Sequence, residues 1–420
     1  MRPWWWAAPV LAACSASGCA GGGAAGPGPE PAADAGLLRD DRVAVLHDAR
    51  ASALAAALVF PGSGWELPGT EGLTLLTAET LVQSARSALE ALDAHATVHC
   101  DRAAFTIALV APPDRGDPAL DVLLDALFHP APTRMDLDTA RARLRATLAL
   151  DHANPAWQAR LAARQALYTD TLAASPWSGP GCGVPEILDR FDLDQLRAGA
   201  YRFAPRMAHV AVIGPDEPRG VHRRVRDRLS PPDDPPPPLP APREVRAGHR
   251  YVERNTVTAW TALAFPFDTA ADIDAILGLA ALIEDGFGPG VNRPDMFAID
   301  HELERNGGGG ALIVYLVTSP EAAAAYADDV AARVAALGGG AVPATWERLA
   351  NRHHGVRLLE RERPETRAAA MAMELALGRA PGTGWPDPAV TAGRVGAAAA
   401  ALGRPARAVV GPRAARPGAP

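Results

Sequence analysis

The sequence predicts an α+β protein built from one structural unit used twice, each copy a mainly antiparallel sheet covered by helices. Three observations predict it. Landmarks recur at an offset of roughly 200 residues: Phe60-Pro61 returns as Phe265-Pro266, and Ala211-Val212-Ile213-Gly214-Pro215 returns as Ala408-Val409-Val410-Gly411-Pro412. Each half contains two strand-like runs across a short turn, the pattern of a hairpin, and those of the first half alternate. Helical stretches then gather between that hairpin and the last strand, which implies a sheet covered on one face.

The elements follow in order. Residues 1–19 read as a signal segment: Met1-Arg2-Pro3 is a short charged start, and Trp4 to Ala13 is apolar but too short to span a bilayer. The run ends Leu11-Ala12-Ala13-Cys14, which resembles a bacterial lipobox with Cys14 as the lipidated residue; Ala16-Ser17-Gly18-Cys19 offers Cys19 as the alternative. Residues 20–40 read as a flexible Gly/Ala/Pro tether. The implied location is the bacterial cell envelope, lipid-anchored and facing the periplasm, with the outer membrane favoured.

The first unit spans 41–215. Asp41 to His47 and Ala53 to Phe60 read as strands, Leu73 to Leu92 as an amphipathic helix, and Ala96 to Asp101 with Ala104 to Ala111 as a hairpin. Pro118 to Phe128, Asp136 to Leu150, Pro155 to Tyr168 and Asp192 to Tyr201 read as helices, and Met207 to Gly214 as the closing strand. Residues 216–247 contain a proline run that favours polyproline II and reads as a semi-rigid linker. The second unit, 248–415, repeats the set: strand Thr256 to Phe265, helix Thr269 to Glu284, hairpin Asp295 to Arg305 with Gly310 to Thr318. Helices at Pro320 to Leu337, Pro343 to Val356, Pro364 to Leu377 and Pro388 to Leu402 lead to the last strand. The alanine excess reads as genome composition rather than fold.

With 420 residues, 48% hydrophobic content and a net charge of −7, the chain is globular and shows no basic stripe for nucleic acid. Cys100 and Cys182 are the two cysteines of the folded part. An oxidising compartment allows them to pair, but sequence does not set their separation, and we expect two buried free thiols.

The stretch Glu66-Leu67-Pro68-Gly69, followed by Gly72-Leu73-Thr74 and a helix, resembles the active-site helix of the insulinase/pitrilysin family, the inverted zincins. Leu89–Val110 and Asp136–Arg160 resemble that family's first hairpin and its following helix pair, so the resemblance runs from about Asp41 to Pro412. It implies two metallohydrolase-like domains. In catalytic members H-x-x-E-H binds zinc through two histidines and carries the general base. Here the first His position is Leu75, the Glu position is Ala78 and the second His position is Glu79. The third ligand position falls at Thr147. The substrate-binding Arg and Tyr of the second domain correspond to Gly290 and Phe297.

None of these holds a metal, so no cofactor is expected in this chain and zinc only in a partner subunit. The resemblance is to non-catalytic members, such as the non-catalytic subunit of mitochondrial processing peptidase-like enzymes. It implies a heterodimer with a catalytic insulinase-family subunit, or a self-paired dimer, and extended peptides as ligands. Gly286-Phe287-Gly288-Pro289-Gly290 occupies the place of a glycine-rich substrate loop, or is a loop shortened by loss of function. Two other roles fit the same residues: a stand-alone peptide-binding or scaffolding lipoprotein, and an active zinc metallopeptidase built on an unrecognised constellation. His95 and His99 share one strand face and read as surface histidines; His301-Glu302-Leu303-Glu304 reads as a solvated hairpin arm. Ser178 has no nucleophile-elbow context.

Overall fold

The structure, a computed structural model, describes residues 36–62, 66, 69–100, 104–168, 177, 179, 182–229, 244–287, 293–306, 308–360, 362–379 and 390–416. Cys14, Cys19, the tether up to residue 35, the proline run 230–243, Ser178 and Gly288-Pro289-Gly290 lie outside them.

The first sheet comprises β1 (Leu37–Arg39), β2 (Val43–His47), β3 (Leu54–Pro61), β4 (His95–Cys100), β5 (Ala104–Ala111) and β6 (His209–Gly214), in the order β1-β2-β6-β3-β5-β4. The second comprises β7 (His249–Glu253), β8 (Ala259–Phe267), β9 (Met296–Asn306), β10 (Gly309–Thr318) and β11 (Ala406–Gly411), in the order β7-β11-β8-β10-β9. The two orders match strand for strand once β1 is set aside. Even the one parallel pair recurs, β2 with β6 and β7 with β11. The sequence missed β7 because His-Arg-Tyr-Val-Glu is polar and half exposed, so neither alternation nor an apolar run marks it.

The first unit's helices are α1 (Leu73–Glu90), α2 (Gly116–Phe128), α3 (Arg134–Ala153), α4 (Pro155–Leu167), α5 (Leu193–Gly199) and α6 (Pro218–Arg228). The second unit's are α7 (Ile273–Phe287), α8 (Ala323–Gly338), α9 (Trp346–Glu360), α10 (Pro364–Ala376) and α11 (Ala392–Ala401). Helix boundaries follow local chemistry. Thr133 and Asp136 form a capping box at α3, and Asn154 with Pro155 starts α4 immediately after. The beginning of the stretch read as linker is helix α6. Glu217 accepts the Arg219 and Gly220 amides at 3.0 and 2.8 Å, Pro218 takes the first helical position, and Val221 and Val225 are buried in the first core.

The expectation of sheets covered on one face is corrected. Every residue of β3 from Leu54 to Phe60 is buried. Leu54, Ala56, Leu58 and Phe60 face the core under α1 and α2; Ala55, Ala57 and Val59 face the other way. That second face is covered by α10 from the second unit, through Ala368, Met371, Ala372 and Leu375. The exchange is reciprocal: α4 of the first unit lays Ala159, Ala162, Ala163 and Ala166 on Ala262, Ala264, Ala311, Ala406 and Ala408 of the second sheet. A strand buried on both faces reads as a continuous apolar run instead of an alternation, which is how β3 and β10 read. The alanines are thus structural. Small side chains on helix and sheet let the layers approach closely, and Met371 and Leu375 add roughly 1.5–3 kcal/mol each by burial.

One buried basic pair sits where β6 enters the sheet. The Arg42 guanidinium, 4% exposed, donates to the Ala208 carbonyl from Nε at 3.0 Å and from Nη2 at 2.8 Å. His209 follows directly. Burial, and then the neighbouring Arg42 charge, lower its pKa to about 4 from an ordinary 6.5. Between those values the unfolded chain takes up a proton that the folded chain refuses, so stability falls as pH falls through that window. From pH 7 to pH 4.5 the stability of the protein is expected to drop by about 2–3 kcal/mol through this group. Urea unfolding at the two pH values checks it, and His209→Gln should flatten the difference.

Candidate functional site

Helix α1 begins without a side-chain cap of the ordinary kind. Its N-cap is Gly72 at φ 96°, a left-handed conformation that only glycine adopts freely. The Glu66 carboxylate takes over the capping, accepting the Gly72 amide and, at 2.5 Å, the Thr74 amide. Burial pushes the Glu66 pKa up, and these two donors offset it only in part. Gly72 is also in backbone contact with Gly183; a Cβ on Gly183 would lie 2.5 Å from the Gly72 Cα. The Glu66…Gly72 lead-in therefore sets where α1 starts, independently of any metal.

Gly183 adjoins a covalent tie. Cys100 at the end of edge strand β4 is disulfide-bonded to Cys182, with a Cα–Cα distance of 5.8 Å. The expected pair of free thiols is corrected. The two residues are 82 apart in sequence, and only the return of the chain past α1 brings them within bonding distance. His152 at the end of α3 joins the same corner: its ring stacks on Trp157 at 3.9 Å, and Nε2 is 3.2 Å from the Gly183 carbonyl.

Four of the positions singled out in the sequence do come together, because α1 packs on α3. Leu75 and Ala78 are buried side chains of the first core. Glu79 is 5% exposed, and Arg143 of α3 places Nη2 2.5 Å from its Oε2. Thr147, one turn further along α3, donates its hydroxyl to the Arg143 carbonyl at 3.2 Å. The corner therefore holds two apolar side chains, a hydroxyl turned to its own helix, and a carboxylate neutralised by a guanidinium. Zinc requires several N, S or O donors free to converge at about 2 Å, and this set does not provide them. Arg143 further places a positive charge where a cation would have to sit.

The other predicted positions lie in the second unit. Phe297 is on edge strand β9 and 56% exposed. Gly286 and Phe287 are the last turn of α7 rather than a loop. Phe287 is 4% exposed in the second core, with the Arg293 guanidinium 4.2 Å over its ring. His95 and His99 are exposed on β4.

The arm read as solvated is not. Glu302 of β9 accepts Arg160 Nη1 at 2.8 Å and Arg164 Nη2 at 2.7 Å, both from α4. Glu304, 5% exposed, pairs with Arg164 Nε. On the same strand His301 Nδ1 lies 2.5 Å from Glu284 Oε1 of α7, and Asp300 accepts the Tyr315 hydroxyl. The signal was available: Arg160 and Arg164 are spaced i, i+4 on one helix face, and Glu302 and Glu304 i, i+2 on one strand face. That the two faces meet follows from the helix exchange, which local pattern does not encode.

No protein-family model and no curated protein matches this sequence. Solved structures share its fold. The peptidase M16 inactive domain from Pseudomonas fluorescens superposes with a TM-score of 0.73 at 17% identity, covering 88% of this chain and 95% of that one. A protease from Helicobacter pylori gives a TM-score of 0.73 at 12% identity, covering 90% of this chain and 99% of that one. The chain thus has the two-domain α+β fold of M16-peptidase-like proteins, the fold that the sequence resemblance implied.

Two outcomes test the corner. Arg143→Ala leaves the Glu79 carboxylate in the core without its guanidinium and is expected to cost about 2–4 kcal/mol, whereas Glu79→Leu with Arg143→Leu should return to within about 1 kcal/mol of the parent; urea midpoints of the single and double variants decide it. Reduction of Cys100–Cys182 is expected to lower stability by about 2–4 kcal/mol by releasing an 82-residue loop in the unfolded chain, read as a fall in melting temperature with dithiothreitol.

Proposed function

We propose that this chain is a catalytically inactive insulinase-type peptidase homologue that works as the non-catalytic partner of a zinc peptidase subunit. The observation that carries the reading is the corner between α1 and α3. The helix, its cap and its neighbours keep the frame, while the positions matching the zinc ligands and general base hold Leu75, Ala78, Glu79 paired to Arg143, and Thr147. In this reading zinc belongs to the partner. The role of this chain is to complete a peptide chamber and hold extended substrates, which pair naturally with an exposed strand; β4 and β9 are the edge strands opposite β1 and β7. The Leu11–Cys14 segment fits a lipid anchor on Cys14, placing the assembly at the envelope surface that faces the periplasm.

The test is affinity capture of the tagged protein from its native membranes. A stoichiometric partner bearing H-x-x-E-H, whose peptide cleavage rises when this chain is added back, is the expected result. Chelator-sensitive peptide cleavage by this chain alone would overturn the inactive reading. Capture of no partner, with peptide bound instead, would replace it by a stand-alone binding lipoprotein.

A further inference from the structure

We propose that Glu284, Asp300 and His301 form a binding site for one divalent transition-metal cation of the zinc class, at the sheet edge of the second unit. Each offers one ligand atom, and these three atoms all lie within 4.8 Å of one another. The set combines an imidazole and two carboxylates, a donor combination that suits borderline divalent ions. It is distinct from the α1–α3 corner, drawing on α7 and β9 alone.

Charge favours a cation here. Glu284 lies in the last turn of α7, whose carbonyl end carries partial negative charge, and no basic residue occupies that turn. The two carboxylates face one imidazole, and no Arg or Lys ion pair to either is present among the described residues. Asp285 alongside is matched by Arg352 at 3.5 Å, and Arg160, which lies over the Tyr315 ring, gives its guanidinium to Glu302. His301 Nδ1 lies 2.5 Å from Glu284 Oε1, so the imidazole and this carboxylate already converge.

Second-layer support is in place. Tyr315 donates its hydroxyl to Asp300 Oδ2, and the His301 amide donates to Asp300 Oδ1 at 2.7 Å, fixing the carboxylate. The His301 side chain is 10% exposed and that of Glu284 32%. β9 is an edge strand, and the Glu284 side chain is partly open to solvent. The site is independent of the proposed function: a chain that binds the ion and cleaves nothing satisfies both.

The test is titration of the purified, metal-free full chain with Zn²⁺ by calorimetry, and with Co²⁺ by visible absorption. Expected are one equivalent per chain and ligand-field bands with Co²⁺. Affinity should fall at least about tenfold in His301→Ala and Glu284→Gln, and about tenfold in Tyr315→Phe, which removes only the orienting hydrogen bond. His95→Ala is the control and should bind as the parent does. Absence of binding in the parent, or affinity unchanged in both folded His301→Ala and Glu284→Gln, would overturn the proposal. Loss of binding in His95→Ala alone would overturn it too, by moving the ion to the His95/His99 face.

Discussion

The reciprocal packing of α4 and α10 is the constraint on which the rest of the structure depends. Each helix leaves its own unit and covers the outer face of the other sheet. Without it, the apolar outer faces of β3 and β10 would lie open to water, and two sheets exposing Ala, Val and Ile would associate nonspecifically. With it, the two units become one unit from Gly36 to Pro420. The contact is built on alanine, whose burial is worth little per residue. It works by area and closeness, with Met371, Leu375 and Trp177 supplying the larger side chains.

The same exchange explains the charges. Helix α4 carries Arg160 and Arg164 on the flank that reaches β9, so the ion pairs to Glu302 and Glu304 form at the margin of the alanine contact. Such buried pairs give little net stability against an apolar alternative, but they are costly to mismatch. They therefore act mainly on register, holding α4 in one position along the second sheet. The neighbouring Asp300 and His301, on the same strand, are freed from this duty and turn to Tyr315 and Glu284.

At the α1–α3 corner, the residues that start the helix are distinct from those that pack beneath it. Glu66, Gly72 and Gly183 fix where the helix starts, and none of them needs a metal. Leu75 and Ala78 then serve the core as any buried helix positions do. Glu79 is the informative residue: a carboxylate 5% exposed demands a partner, and Arg143 supplies it across the helix pair. The resemblance identified the positions. The ion pair that occupies them depends on how α3 lies against α1, and no local spacing announces that.

By itself the sequence determined most of the element order and the two-fold repeat. These rest on periodicity, turn chemistry and residue type, which are local properties of the chain. It gave no warning of β7, whose polar residues join a sheet only because β11 offers an open parallel edge, nor of helix α6 inside a proline-flanked stretch. The tertiary structure alone decided that Cys100 meets Cys182 across 82 residues, that α4 and α10 change units, and that a charged hairpin arm is paired with Arg160 and Arg164 and partly buried. Each of these is a contact between residues far apart in sequence, selected by what the packed layers leave exposed, and no window of neighbouring residues contains that information.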